Sequence, residues 1–412
     1  MDAALKYMKA SRPEPIFIYL FFFNTFLLPQ GLSCTLLLTP VWLYLLHITG
    51  RLHLVRHLLL FFIIYGCIHF FLGVDSVYYA VSASMMLGLG IFLVTAWYYL
   101  RNDNMDYEQV FKRIVLLNFI FSLAALLFLF IPSVKPLVWY TISMSEGIGL
   151  IPRLKLFTYE ASHYSYLLAP VVIFFYAKAL LTKAKKPFPA LFMITFPLLL
   201  SLSFGVLAVL FVSGLIIMAL YFNRIFDTPR KRLLLLPGAL LLLVLLFLLY
   251  RYYPSNILFL RVRNIFSGRD TSARGRTREA FILAHRIIGQ KSYWWGIGPG
   301  QLKVLGRNIV VQYYFYSNIP SVVRIPNACA ETILCFGYVG FALRIGMQII
   351  LFFKTRVFNS PYRLWLFLFL FVFQFMGSYI TNAAEYIFWM IAFMPLMDKY
   401  FIAKDTEMSN IA

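Results

Sequence analysis

The chain has 412 residues, of which 61% are hydrophobic, 19% aromatic and only 13% charged, with a formal net charge of +21 and a mean hydropathy of +0.79. That leaves too little polar surface to cover the core of a water-soluble globule of this size, which excludes soluble enzymes and binding modules and points to a membrane protein. The apolar residues come in blocks of about sixteen to twenty-four, the length an α-helix needs to cross roughly 30 Å of hydrocarbon, without the alternation of barrel strands. The expected fold class is therefore all-α: a polytopic membrane protein forming a single integral membrane domain over residues 1–412.

In chain order the blocks predict helices near 15–31, 33–50, 58–74, 77–100, 114–134, 165–182, 188–202, 204–222, 233–251, 328–353, 363–382 and 385–402, about twelve in all. The connections "GRLHLVRH", "TKAKKP", "NRIFDTPRKR" and "KTRVFNSPYR" are basic, as is the N-terminal "KYMKASR", and all fall on one side if every block spans. The positive-inside rule then sets both termini in the cytoplasm. Were 188–222 one long helix, "NRIFDTPRKR" would land outside, which the rule disfavours.

Two long segments face away from the cytoplasm in this topology, a shorter loop over 135–164 and a larger one over 252–327. Positive charge outside runs against the usual bias, and the larger loop concentrates it in "FSGRDTSARGRTREAFILAHR". Phe281, Ala284 and Ile288 stand at helical spacing with Arg278 and His285 on another face, predicting a short amphipathic helix at the outer interface. Thr277 would cap it, leaving Arg274 and Arg276 just ahead of the positive end of its dipole. Guanidinium groups beside orphan amides make an anion site, for a phosphate ligand or simply for anionic headgroups.

The shorter loop ends in "LKLFTYEASHYSYLLAP", where Glu160 stands just before an apolar span with His163 three residues on. A carboxylate at a membrane boundary is costly, so it serves either chemistry or the capping of the next helix. Cys34, Cys67, Cys329 and Cys335 lie within or at the ends of predicted spans, without metal-ligand or CxxC spacing. No metal, cofactor or nucleic acid is implied. Gly-containing stretches such as "GLGIF" read as close helix packing.

"SGRDTSARGRTREAFILAHRIIGQKSYWWGIGPGQ", followed some thirty residues later by "PNACAETILCFGYVG", resembles the outer loop and next helix of the Wzy-type O-antigen polymerases and the related O-antigen ligases. "YEASHYSYLLAP" is similar to the stretch that opens a middle helix in the polymerases. The ligases usually carry a His directly before the Asn entering the late helix. Here that place is Pro326, which favours polymerase over ligase.

The resemblance implies metal-independent glycosyl transfer on the outer face of the bacterial cytoplasmic membrane, from undecaprenyl-diphosphate-linked oligosaccharide to a hydroxyl of a lipid-linked repeat unit. Arg274 and Arg276 would stabilise the diphosphate leaving group, with Arg269 and Arg278 behind them. Glu160, or alternatively His163, would be the base, and a single displacement would invert the anomeric centre. His285, Asn327 and Glu331 would line the substrate site, although Glu331 reads equally as a packing carboxylate. Membrane lipids and a separate chain-length regulator are the implied partners. A flippase or other transporter of lipid-linked oligosaccharide is the alternative from another class. Against it stand the lack of repeated halves and predicted spans nearly free of charge.

Overall fold

The computed structural model describes residues 18–26, 28, 32–101, 106–141, 152–182, 187–227, 244–245, 247–314 and 323–401. The helix expected over 233–251 lies mostly outside these residues, as do "KYMKASR" and most of "TKAKKP". The span expected near 15–31 is described mainly over 18–26, with the helical turn Tyr19–Phe23.

The described chain is predominantly helical. The principal helices are α1 (Thr39–Ile48), α2 (Val55–Phe71), α3 (Ser76–Leu100), α4 (Tyr107–Phe128), α5 (Ala161–Leu181), α6 (Phe188–Leu200), α7 (Phe204–Leu220), α8 (Ile257–Phe266), α9 (Thr271–Arg276), α10 (Arg278–Ile288), α11 (Arg307–Tyr314), α12 (Ala328–Lys354), α13 (Pro361–Phe373) and α14 (Ala383–Phe393). Five of them are long and apolar enough to cross a membrane: α2 with the turn from Leu52, α3, α4, α5 and α12. The other apolar helices, α1, α6, α7, α13 and α14, run 10–17 residues. Two-residue strands β1 (Trp139–Tyr140) and β2 (Arg153–Leu154) pair antiparallel, with Tyr140 opposite Arg153.

Helix α5 is the hub. Within its most apolar window 78% of residues are buried, against 17–39% in the other four long helices, as expected of a helix apolar on every face. Helices α6, α7 and α13 all pack on it. Between α6 and α7 the helix is interrupted over Ser201–Ser203, with Leu202 in the left-handed region at φ 45°, so 188–222 forms two helices as the charge pattern predicts.

Loop contacts sort the helix ends into two groups. At one, Lys178 pairs with Glu108, Tyr400 donates to Asp106 at 2.9 Å, Arg224 donates to the Phe401 carbonyl at 3.0 Å, and Arg363 reaches Asp398 at 3.2 Å. At the other, residues of the large loop meet the turns before α3, α5 and α14: Lys291 donates to the carbonyls of Leu72 and Gly73 at 2.8 Å, and Gln301 and Asp75 exchange two bonds of 2.9 Å.

Three expectations need correction. The face of α10 is buried against protein and not laid on lipid: Ala280, Leu283, Ala284, Ile287 and Ile288 form a small core with Ile297, Ala330, Ile333 and Leu334. Helix α12 is broken at Gly337, whose φ of 67° and ψ of −169° are non-helical. The "GIGPG" turn fills the break, as Ile297 and Gly298 donate to the Leu334 and Cys335 carbonyls at 2.9 and 3.1 Å, while Tyr338 and Val339 donate to those of Tyr293 and Trp294 at 2.9 and 3.1 Å. Four of the backbone groups at the break thus find partners in the turn.

The apolar helices also hold a buried ion pair. Arg344 of α12 pairs with Glu385 of α14, and its other donors reach Gln374 at 3.0 Å and Thr332 at 3.3 Å.

Candidate functional site

The arginine stretch is organised by Asp270. Its Oδ1 accepts the Ala273 amide at 2.8 Å and its Oδ2 stands 3.5 Å from Arg261 Nε, which caps α9 and ties it to α8. Arg274 and Arg276 then occupy the last turn of α9, the end where cations are favoured. Thr277 does not cap α10 with its side chain, because its hydroxyl donates back to the Ala273 carbonyl at 2.9 Å. The two arginines expected beside the amide end of α10 pair with carboxylates instead, Arg274 with Glu279 and Arg276 with Glu160.

Arg276 reaches across to α5. One guanidinium nitrogen pairs with Glu160 Oε1 and the other lies 3.4 Å from Ser162 Oγ. Glu160 occupies the N-cap position of α5 in extended conformation, but its side chain makes no capping bond. Thr158 braces it, donating to the Glu160 carbonyl at 2.9 Å after a tight turn that places Leu156 at φ 42°. Burial pushes the Glu160 carboxyl up, but the Arg276 charge, bonds from Ser162 and Arg276, and the Arg153 charge outweigh it, so its pKa lies below the ordinary carboxylate value.

Arg153 is the site residue that sequence reading missed. It is 7% exposed, its guanidinium lies 4.7 Å from the Tyr140 ring centroid, and its Nε has no hydrogen-bond partner among the described residues. Arg261 belongs to the same patch, since it feels the charges of Asp270, Arg153 and Arg276. Three guanidinium groups therefore face two carboxylates, Glu160 and Asp270, which leaves positive charge available for an anion. The available signal was a lone arginine in the apolar run "IPRLKLF" of the shorter loop.

The remaining expected residues are dispersed. Arg274 turns away to pair with buried Glu279, which also accepts from Tyr314 at 3.0 Å. Arg269 and Arg278 are exposed. His285 is exposed on α10 and bonds the Tyr338 hydroxyl at 2.9 Å. Asn327 is wholly buried: its Nδ2 donates to the carbonyls of Arg276 at 2.8 Å and Phe375 at 2.6 Å, while its Oδ1 accepts the Ala330 amide at 2.9 Å. With those groups engaged inside the protein it acts as a positioning residue, and the substrate contact expected of it is corrected on that ground. Glu331 accepts the Ile380 amide at 2.8 Å.

His163 stays with Glu160. It stacks on Tyr159 at 4.9 Å, and both residues line a crevice of about 20 Å³ beside Glu160 and Arg276. Tyr379 closes that crevice and lines two further cavities, one of about 70 Å³ with His163 and Arg324 and one of about 320 Å³ with Arg324, Lys303 and Glu331. A row of adjoining cavities with mixed polar and apolar walls thus runs from Arg276 to Lys303. Its first member has room for water only, so a phosphate can reach Arg276 there only if the Glu160 pair parts.

No family model matches the chain, and no curated protein matches it. The class that fold and site define is a helical protein with apolar helices long enough to span a membrane and an arginine–carboxylate site built by two loops.

Proposed function

We propose that the protein is a polysaccharide polymerase of the Wzy type, which moves a glycan from undecaprenyl diphosphate onto a lipid-linked repeat unit at the outer face of the bacterial cytoplasmic membrane. The observation that carries the reading is the ion pair of Arg276 with Glu160, which brings the most arginine-rich stretch of the large loop onto the one carboxylate that opens the central helix.

In this mechanism the acceptor hydroxyl oxygen forms a bond to the anomeric carbon as the bond from that carbon to the diphosphate oxygen breaks. The diphosphate leaves with the bonding electron pair and is held by Arg276 and Arg153. The hydroxyl proton passes to Glu160, with His163 as the second candidate. A carboxylate with lowered pKa is ionised and ready but weakly basic. Drawing Arg276 toward the diphosphate removes the cation that holds that pKa down, so leaving-group binding strengthens the base.

A transporter of lipid-linked oligosaccharide is the second reading, favoured by the break in α12 and the buried Arg344–Glu385 pair, features common where transporters bind their cargo. Purified protein in detergent, given lipid-linked repeat units, separates the two. Lengthened glycans support the polymerase, whereas flipping in sealed vesicles with no change of covalent bonds would replace it.

A further inference from the structure

Tyr379 borders all three cavities of the row, whereas Tyr159, His163 and Asn382 border the first two and Arg324 and Thr381 the last two. Its side chain thus stands between the crevice at Glu160 and Arg276 and the 320 Å³ cavity, whose walls carry Lys303 and Arg324 against Glu331. The Arg324 guanidinium lies 5.6 Å from the centroid of its ring, and its hydroxyl also feels the charges of Glu160, Arg276 and Glu331.

The turn between α13 and α14 that carries Tyr379 is pinned on both sides of it. Before it, the Gly377 carbonyl accepts the Ala328 amide at 3.0 Å and the Ser378 hydroxyl accepts from Asn382 Nδ2 at 3.0 Å. After it, the Ile380 amide donates to Glu331 at 2.8 Å and the Ile380 carbonyl accepts from the Tyr386 hydroxyl at 2.8 Å. The carbonyl of Tyr379 itself accepts the Asn382 amide at 3.0 Å. Ser378 is held at φ 68°, in the left-handed region that a residue with a Cβ disfavours, and such strain persists only where the surroundings enforce it. With the backbone fixed in this way, the motion that joins the crevice to the outer cavities is rotation of the Tyr379 side chain.

The crevice of about 20 Å³ holds a water beside Glu160 but no sugar ring. While Tyr379 stands in place, a donor sugar therefore does not reach the base. That separation matters, because water beside the base competes with the acceptor. Its oxygen would bond to the anomeric carbon as the bond to the diphosphate oxygen breaks, with its proton passing to Glu160, and the products would be free glycan and undecaprenyl diphosphate.

We propose that Tyr379 is the positioning residue that couples the reaction to its acceptor: its ring bars the donor sugar from Glu160 until an acceptor glycan turns the ring aside and fills the space that water would otherwise take. On the polymerase reading, on which this rests, the ring selects a sugar hydroxyl over water as the nucleophile. A pyranose has the bulk to displace an aromatic ring, and water does not.

Purified full chain in detergent is given lipid-linked repeat unit extracted from source cells that lack the chain, and lengthened and free glycan are quantified by chromatography and mass spectrometry, with melting temperature as the folding control. Wild type should lengthen the glycan and release little of it free. Tyr379→Ala, which leaves the crevice open, should raise the ratio of free to lengthened glycan about tenfold, with undecaprenyl diphosphate as co-product, whereas Tyr379→Phe keeps the ring and should stay within about twofold of wild type. Ser378→Gly accepts the same φ freely, so it keeps the chain folded while loosening the turn, and its ratio should rise about threefold. A residue that only supports the fold would change both products together. An unchanged ratio in folded Tyr379→Ala or in Ser378→Gly, a folded Tyr379→Ala that forms neither product, or a Tyr379→Phe that releases glycan as the Ala variant does, overturns the proposal. A wild-type chain that forms neither lengthened nor free glycan discards the polymerase reading instead.

Discussion

Asn327 donates its side-chain amide to the backbone carbonyl of Arg276 at 2.8 Å, so the residue that starts α12 holds in place the residue that ends α9. Asn327→Asp keeps the oxygen that caps α12 but loses both donated bonds. The expected result is a stability loss of about 1–3 kcal/mol from two orphaned buried carbonyls, with glycan extension reduced roughly tenfold or more. Asn327→Ala, which also loses the cap, should be less stable still. Melting curves and extension assays on both variants check this, and wild-type extension by the Asp variant would detach Asn327 from the site.

The Glu160–Arg276 pair makes a prediction with a sign. The folded carboxyl is depressed, so it contributes stability fully present above the unfolded carboxylate pKa and lost as pH falls through the lower folded value. The kcat/KM profile, which reports the free enzyme, should therefore hold down to a pH below the ordinary carboxylate range before Glu160 protonates, while the acid limb of kcat should lie higher because bound diphosphate draws Arg276 away. Arg276→Ala removes the main lowering charge while burial remains, so the acid limb of any residual activity should move up; Arg276→Lys should move it less. Glu160→Gln should abolish turnover at every pH while the protein still inserts and purifies. Wild-type pH profiles in the arginine variants would sink the assignment.

Arg153→Met should leave the chain folded, because the guanidinium has an unpaired Nε and removing it relieves a buried charge near Arg261 and Arg276. Binding of inorganic pyrophosphate, followed by calorimetry, should nevertheless weaken by about tenfold, or ~1.4 kcal/mol. Unchanged binding would assign Arg153 to packing against Tyr140.

Removing one member of the buried Arg344–Glu385 pair strands a charge among apolar helices. Glu385→Gln should destabilise by about 3–5 kcal/mol, whereas the double change Arg344→Met with Glu385→Leu should recover much of that loss. Thermal unfolding of single and double variants measures the difference. A double variant that melts like wild type but transports or polymerises nothing would give the pair a functional role.

At the break in α12, an added Cβ on Gly337 would lie 2.1 Å from the Trp294 carbonyl oxygen at a φ of +67°, so Gly337→Ala should cost about 2–5 kcal/mol. Gly346, nine residues further along the same helix, has open space around it, and Gly346→Ala should be neutral or mildly stabilising. Equal melting temperatures for the two variants would show that the "GIGPG" turn does not lock the helix.

Much of the architecture was legible in the residues alone. Composition dictates burial in lipid or in other helices, because so few polar groups exist to face water. Spacing of apolar blocks located most of the described helices, but their ends shift by up to nine residues: α13 and α14 stop at Phe373 and Phe393 where 382 and 402 were expected, and α4 begins at Tyr107 and α5 at Ala161, where Asp106 and Glu160 mark N-termini that hydropathy averaging smears out. Charge at the connections also separated α6 from α7. Glu160 stood out because a carboxylate beside an apolar span has few structural reasons to be there.

Tertiary structure alone decided which arginine meets that carboxylate. Nothing local distinguishes Arg276 from Arg274, two residues earlier; one faces Glu160 and the other Glu279 because Asp270 and Asn327 fix the turn of α9 from outside it. Arg153, Arg324 and the Arg344–Glu385 pair were invisible for the same reason, since each acquires its meaning from a partner distant in the chain. Hydropathy and spacing are properties of neighbours along the backbone, whereas an electrostatic site depends on separations of a few ångströms, which packing sets.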